Sequence, residues 1–325
     1  PAQISIWKKK YGFKLIVDID DTFNIHKSHI IYGILSKIIP FAKDLAILAD
    51  HITVSTEYLK QEMLRYNDRV TVIDNYLPYG HGQFKVLFEP LNEFFHRKIR
   101  VGLIGSASHI EDWSSIWLDL KRIVNDERFK ENCEFVLCGY NSKITGWNKL
   151  RQITNGTPLV YKSPNEYMEL YNKLDIVLCP LKNNELNKGK SALKVYEAAC
   201  TDTILILDKL YKSKGDVCDY HVYPDKGWYS AVMDLIQDKK ELYKKKIEVG
   251  DKVRRSTDFS KRIEKIREVI QYEEVQIDHN ASLFSIIYNE DQRELSEYNV
   301  FFNKINSVED KSYLFEYNPM IDIID

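Results

Sequence analysis

The sequence predicts an α/β chain with two Rossmann-like domains facing a cleft, the amino-terminal one incomplete. Three observations carry this prediction. Short apolar runs alternate with amphipathic helical segments, the pattern of a parallel sheet wrapped by helices. The alternation runs twice, on either side of the turn-rich "LPYGHGQ" and the basic "FFHRKIR" between residues 77 and 100. Finally, the polar residues able to do chemistry gather just after strand ends, where open α/β sheets bind ligands.

In the first array "KLIVDID" reads as a strand, followed by a helical region to Asp50, the strand "HITVST" (51–56), the helix "EYLKQEMLRYN" (57–67) and the strand "RVTVIDN" (69–75). Residues 29–50 are the most apolar stretch. Ser36, Lys37, Pro40, Lys43 and Asp44 interrupt it before the roughly 20 residues a bilayer span needs, so it reads as a core helix or helix pair. The second array opens with "RVGLIGS" from Arg100. It continues with a helix over about 110–126, strands "CEFVLCGY" (133–140) and "PLVYK" (158–162), helix "PNEYMELYNKL" (164–174) and strand "DIVLCPL" (175–181). Then come helix "SALKVYEAAC" (191–200), strand "TILILD" (203–208), helices over about 228–237 and 239–253, and the amphipathic "FSKRIEKIREVIQ" (259–271). The expected divisions are 1–97, 98–256, 257–280 and, over 281–325, a tail or the start of a further domain. The tail should hold a strand and a helix. Opening at Pro1 in mid-pattern, the chain reads as a piece of a longer protein.

With 325 residues, 44% hydrophobic and 29% charged, there is ample material for two cores. A net charge of -2 argues against a general nucleic-acid binder. Cys133, Cys138, Cys179, Cys200 and Cys218 form no C-x-x-C pair and no metal-ligand spacing, and so read as buried free thiols of a reducing cytoplasm.

Asp18, Asp20 and Thr22 in "KLIVDIDDTF" spell D-x-D-x-T, the opening motif of haloacid-dehalogenase-type phosphatases. There one aspartate attacks phosphorus and a magnesium ion clamps the oxygens. "ITVST" and "KGDVCD" (214–219) offer partial matches to the later motifs, although no apolar strand precedes the latter. The other reading places Asp18, Asp20 and Asp21 at a strand end on the cleft, joined by His26 and His29, where they bind a ligand or cap the next helix.

The most informative stretch is "NKGKSALKVYEAAC" (187–200). Ser191 reads as the N-cap of a helix whose amino terminus makes an anion site. At 100° per residue Lys190, Lys194 and Glu197 share a sector of roughly 60° on an otherwise apolar helix. A nucleotide diphosphate compensates such charges: the lysines, Ser191 and the helix end take the phosphates, and Glu197 the ribose hydroxyls. The plainer alternative is a solvated Lys194–Glu197 pair.

Taken in order, "RVGLIGSASHIEDW", "EFVLCGY", "YNKLDIVLCPL", "NKGKSALKVYEAAC" and "GWYSAVMDLIQD" resemble the donor-binding domain of GT-B glycosyltransferases. The likeness is closest to family 4, in the branch with N-x-x-K-S-x-x-K-x-x-E; "KLIVDIDDTF", "ADHITVSTEYLKQEM" and "VTVIDNYLP" are similar to the second half of the acceptor domain of the same proteins, and the whole covers about residues 10–272, which implies an acceptor side over 1–97, a nucleotide-sugar donor side over 98–256 and a helix over 257–280 crossing back. The resemblance implies a donor loop at Gly102, Gly105 and Ser106, cleft-facing His109 and Asp112, and Glu197 as the second glutamate of E-x7-E. Two departures stand out. The first glutamate of that motif falls on Gly189, and the Arg and Lys pair that stabilises the departing diphosphate is missing, which hands its role to Lys190 and Lys194. Tyr140 lies where loop shape sets the donor base and sugar.

The expected function is therefore glycosyl transfer from a nucleotide-diphosphate sugar of UDP or GDP type, retaining and independent of metal or other cofactor. Lys190, Lys194 and His109 are the catalytic candidates, and Gly105, Ser106, Ser191, Glu197 and Tyr140 hold the donor. Asp20, Asp21 and His26 serve an acceptor that is a glycan, a lipid-linked molecule, a protein or a modified nucleic acid. The expected place is the cytoplasm or the periphery of a membrane. A phosphatase, a non-catalytic sugar-nucleotide or glycan-binding module, and a nucleotide-sugar epimerase are the alternatives.

Overall fold

The computed structural model describes residues 1–27, 29, 32–160, 162–257, 259–274, 284–288 and 313–317. The chain divides into two compact units: Pro1–Asn75, Lys188–Ser191 and Ser260–Asp325 form the first, Tyr76–Asn187 and Ala192–Phe259 the second. The division falls at residue 75, short of the expected 97, because Leu77 and Phe94 are buried in the core of the second unit.

In the first unit β1 (Leu15–Ile19), β2 (His51–Val54) and β3 (Val70–Val72) lie side by side. Two strands from the end of the chain, β9 (Phe284–Tyr288) and β10 (Tyr313–Tyr317), extend the sheet to the order β10-β9-β1-β2-β3, with every pair parallel. The helix expected in that tail falls outside the described residues. Because parallel strands are covered on both faces, their sequences run apolar rather than alternating. Thus Leu15, Val17 and Ile19 enter one cluster with Ile52, Val54, Leu59 and Met63, while Ile16 faces Ile73 and Val269. Val269 comes from helix Phe259–Glu274, which is further tied to this unit by Lys265–Asp74 at 3.0 Å. Residues 32–48 form one helix, not two, with Pro40, which has no N–H to give the helix, on its exposed side. Helix Ala2–Tyr11 was not expected; it buries no side chain fully and so carries no strong periodicity.

The second unit carries β4 (Ile99–Ile104), β5 (Cys133–Tyr140), β6 (Thr157–Val160), β7 (Ile176–Cys179) and β8 (Ile204–Leu207) in the order β6-β5-β4-β7-β8, again all parallel. Trp147, Tyr171 and Phe94 are the largest side chains fully enclosed in its core. Helices Glu127–Asn132 and Thr145–Thr154 go beyond the expected set, and the expected helix over 110–126 is broken at Ser115–Ile116. Asp175, fully buried at the foot of β7, accepts from both Arg97 Nη atoms (2.6 and 2.9 Å) and from the Arg100 N–H, and pairs with Lys246. All five cysteines are buried and free, and burial pushes their thiols up to about 12. Among the described residues no helix is long and apolar enough to cross a membrane.

Candidate active site

In the second sheet the strands wind outward from β4 in one direction and from β7 in the other, so the loops after β4 and β7 leave at a topological switch point. The loop after β4 is built for close approach. Gly105 has φ +148°, and a Cβ there would lie 2.7 Å from His109 Cδ2. At the end of β5 a Cβ on Gly139 would sit 2.3 Å from the Gly105 carbonyl oxygen. Ser106 then N-caps the short turn Ala107–His109, its Oγ accepting from the Ser108 N–H. The imidazole of His109 consequently lies along Gly105, with Nδ1 3.3 Å from Asp112 Oδ2.

Asp112 does not open outward as the resemblance implied: it is only 3% exposed. Its Oδ1 accepts from the Lys182 N–H (2.9 Å) and from Asn187 Nδ2 (2.7 Å). Asn187, equally buried, also donates to the Lys182 carbonyl (2.9 Å), and its own carbonyl accepts from Lys214 Nζ (2.8 Å). Loop 182–187, which follows β7, is thus fastened by one buried carboxylate, since burying that charge is tolerable only with such donors around it.

The helix in "NKGKSALKVYEAAC" starts later than expected. Residues Glu185–Gly189 form their own helical turn, and the second helix runs Leu193–Ala198 with Ala192 at the cap position and no side-chain cap. Ser191 is not an N-cap; its Oγ accepts from Asn75 Nδ2 (3.3 Å), while the Gly189 carbonyl accepts from Thr56 Oγ1 (3.2 Å), all inside the first unit. Lys190 therefore precedes the helix and does not share its edge. Lys194 and Glu197 do lie on it, both half-buried. Lys194 Nζ donates to the carbonyl of Ile104, the last residue of β4, at 3.0 Å. Glu197 Oε2 accepts from the buried Tyr171 hydroxyl at 2.8 Å, and burial, with Glu197 beside it, keeps that phenol well above its usual range. Tyr140, the remaining donor candidate, is buried, with its hydroxyl given to Asn148 Oδ1 at 2.6 Å.

In the first unit Thr53 Oγ1 donates to Asp18, its neighbour in register across β1 and β2. Asn75 Nδ2 spans Asp20 Oδ1 (2.9 Å) and Ser191 Oγ. Desolvation raises both carboxyls; for Asp20 the charges of Asp21 and Asp18 add to it against the hydrogen bond from Asn75, and the result is about 6. Asp21 is half-buried and His26 exposed. Thr22 is 2% exposed and spends its hydroxyl on Glu62, which also takes the Phe23 N–H, and Asp216 and Asp219 lie in a turn of the other unit. Sequence reasoning missed Asn75, Tyr171 and Asn187 as partners of site residues. Only Asn187 left a signal, as the first residue of N-x-x-K-S-x-x-K-x-x-E.

No protein-family model and no curated protein sequence matches the chain. Solved structures do. TarM is similar with TM-score 0.54 and 14% identity over 78% of this chain and 50% of its own. Sucrose-phosphate synthase from Thermosynechococcus elongatus has TM-score 0.54 and 11% identity over 84% and 77%. A UDP-forming α,α-trehalose-phosphate synthase from Burkholderia xenovorans has TM-score 0.52 and 10% identity over 81% and 70%. The chain spans half the length of TarM. Two Rossmann-like units with all-parallel sheets, together with these likenesses, give it the α/β fold of the GT-B glycosyltransferases.

Proposed function

We propose that the chain transfers a sugar from a nucleoside-diphosphate sugar to an acceptor hydroxyl, in the manner of family 4: with retention at the anomeric carbon and without a metal. The position of Lys194 carries the proposal. It is a half-buried ammonium that, among the described residues, donates to the carbonyl at the end of β4, at the switch point where open α/β sheets take ligands. An ammonium has three N–H donors, and a diphosphate answers the other two. Lys190 and Ser191, which precede this helix in the chain, are the further phosphate ligands of the proposal, offsetting the charge that develops on the leaving group. Gly105 and Ser106 let the donor come close to the protein backbone, and His109 stands over that loop. Glu197, braced by Tyr171, accepts from the ribose. Tyr140 shapes the loop after β5 through Asn148, and Asp20, Asp21 and His26 serve the acceptor. A UDP donor is favoured by the likeness to a UDP-forming synthase.

Thermal shift against UDP, GDP and their sugars, with and without chelator, tests this. A rise in melting temperature that survives chelation is expected for one base series, and Lys194→Ala should remove it. No rise with any nucleotide, or a rise indifferent to Lys194→Ala, overturns the reading.

A further inference from the structure

We propose that Asp112 is a positioning residue with two simultaneous tasks: holding His109 by its Nδ1 proton, and fastening the loop 182–187 that leads into Lys190 and Ser191. The inference rests on the glycosyl-transfer reading for its purpose, but its geometry stands alone. Three donors from different parts of the second unit converge on one carboxylate. The imidazole, on the turn after β4, meets Oδ2; the Lys182 N–H and the Asn187 amide, both after β7, meet Oδ1.

A carboxylate has no proton to give, so the nitrogen of His109 facing it must carry one. That fixes the neutral ring as the Nδ1–H tautomer and makes Nε2 the nitrogen whose protonation can change. The ring lies along Gly105 by its Cδ2 side: a Cβ there would be 2.7 Å from Cδ2 and 3.5 Å from both Cγ and Nε2. One side chain thereby sets both the chemistry His109 offers beside the donor loop and the path of the chain into the lysines.

The two tasks can be separated. Asp112→Asn keeps an oxygen for Lys182 and Asn187 but turns an amide N–H toward Nδ1, which must then accept, so the ring switches to Nε2–H. Asn187→Ala loosens the loop and leaves the ring as it was. The test is nitrogen-detected NMR of the histidines at pH 8, with His109 assigned from His109→Gln, alongside binding of UDP and of uridine. The expected wild-type signature is Nδ1–H, with Nε2–H in Asp112→Asn. Each variant should bind UDP about tenfold more weakly, the equivalent of 1.4 kcal/mol, with uridine affinity unchanged. An Nε2–H tautomer in the wild type overturns the proposal before any variant is made. Equal losses for UDP and uridine overturn it too, because a merely structural role would produce them. If neither UDP nor GDP binds the wild type, glycosyl transfer fails as a reading, while the tautomer still decides what Asp112 does.

Discussion

At the scale of single residues, Asp20 shows a carboxylate kept where it is uncomfortable. Its ordinary value of 3.8 is raised to about 6, first by desolvation and then by the charges of Asp21 and Asp18. Between those two values the native state binds more protons than the unfolded chain, so stability falls as pH rises through the window, and the full cost is present above 6. Asp20→Asn removes the charge and keeps an oxygen for Asn75. The variant should melt higher than wild type at pH 8 and with it at pH 4, as circular dichroism at the two values would show; a gain of the same size at both would mean the charge is not the cause. The same scale sets what a sequence can reveal. Lys194 and Glu197 are legible because helical spacing placed them on one edge, whereas the roles of Asp112 and Ser191 are not, since their partners Asn187 and Asn75 lie 75 and 116 positions away.

At the scale of elements, one ion network ties the start of β4, the foot of β7 and helix Lys239–Ser256 to the segment carrying Glu89. For Asp175, burial alone would raise the carboxyl, but Arg97, Lys246 and the Arg100 N–H overcome it and hold it at about 2. Such a depressed group contributes stability above its unfolded value and loses it as pH falls from 3.8 through about 2. Asp175→Ala would take from the buried Lys246 and the half-buried Arg97 the carboxylate between them and leave Glu89 to balance both, at a cost of about 3–5 kcal/mol. Urea unfolding at pH 7 should show a loss of that order in the second unit, and a loss under about 1 kcal/mol would mean that solvent reaches the pair. Most strands of this unit were readable because both-face burial leaves uninterrupted apolar runs such as "IVLC" and "ILIL". The helix after them was misread at its start. Ser191 has the right chemistry for a cap, but a bond from Asn75 draws it away, and local propensity yields to that tertiary contact.

At the scale of the whole molecule, the first sheet is assembled from opposite ends of the chain. Three strands come from residues before 73 and two from beyond 283, with β9 entering beside β1 and pairing Leu15 with Phe284 through Asp18 with Ile287. No local pattern could announce this, because pairing partners some 270 positions apart leave no trace in periodicity; the tail revealed an apolar run but not its neighbour. The arrangement has a direct consequence. A chain ending at residue 274 would leave the whole edge of β1 as unpaired N–H and C=O groups on an apolar strand, the type of edge that pairs with other molecules. The shortened protein should lose hydrogen-exchange protection over residues 15–19 and associate as concentration rises, while the amides of β4 to β8, in a sheet that draws nothing from the tail, stay protected. Mass-spectrometric exchange on the full and shortened chains distinguishes the outcomes. Unchanged protection over 15–19 in the shortened chain would show that β9 does not hold β1, and that the edge is satisfied by something other than the end of the chain.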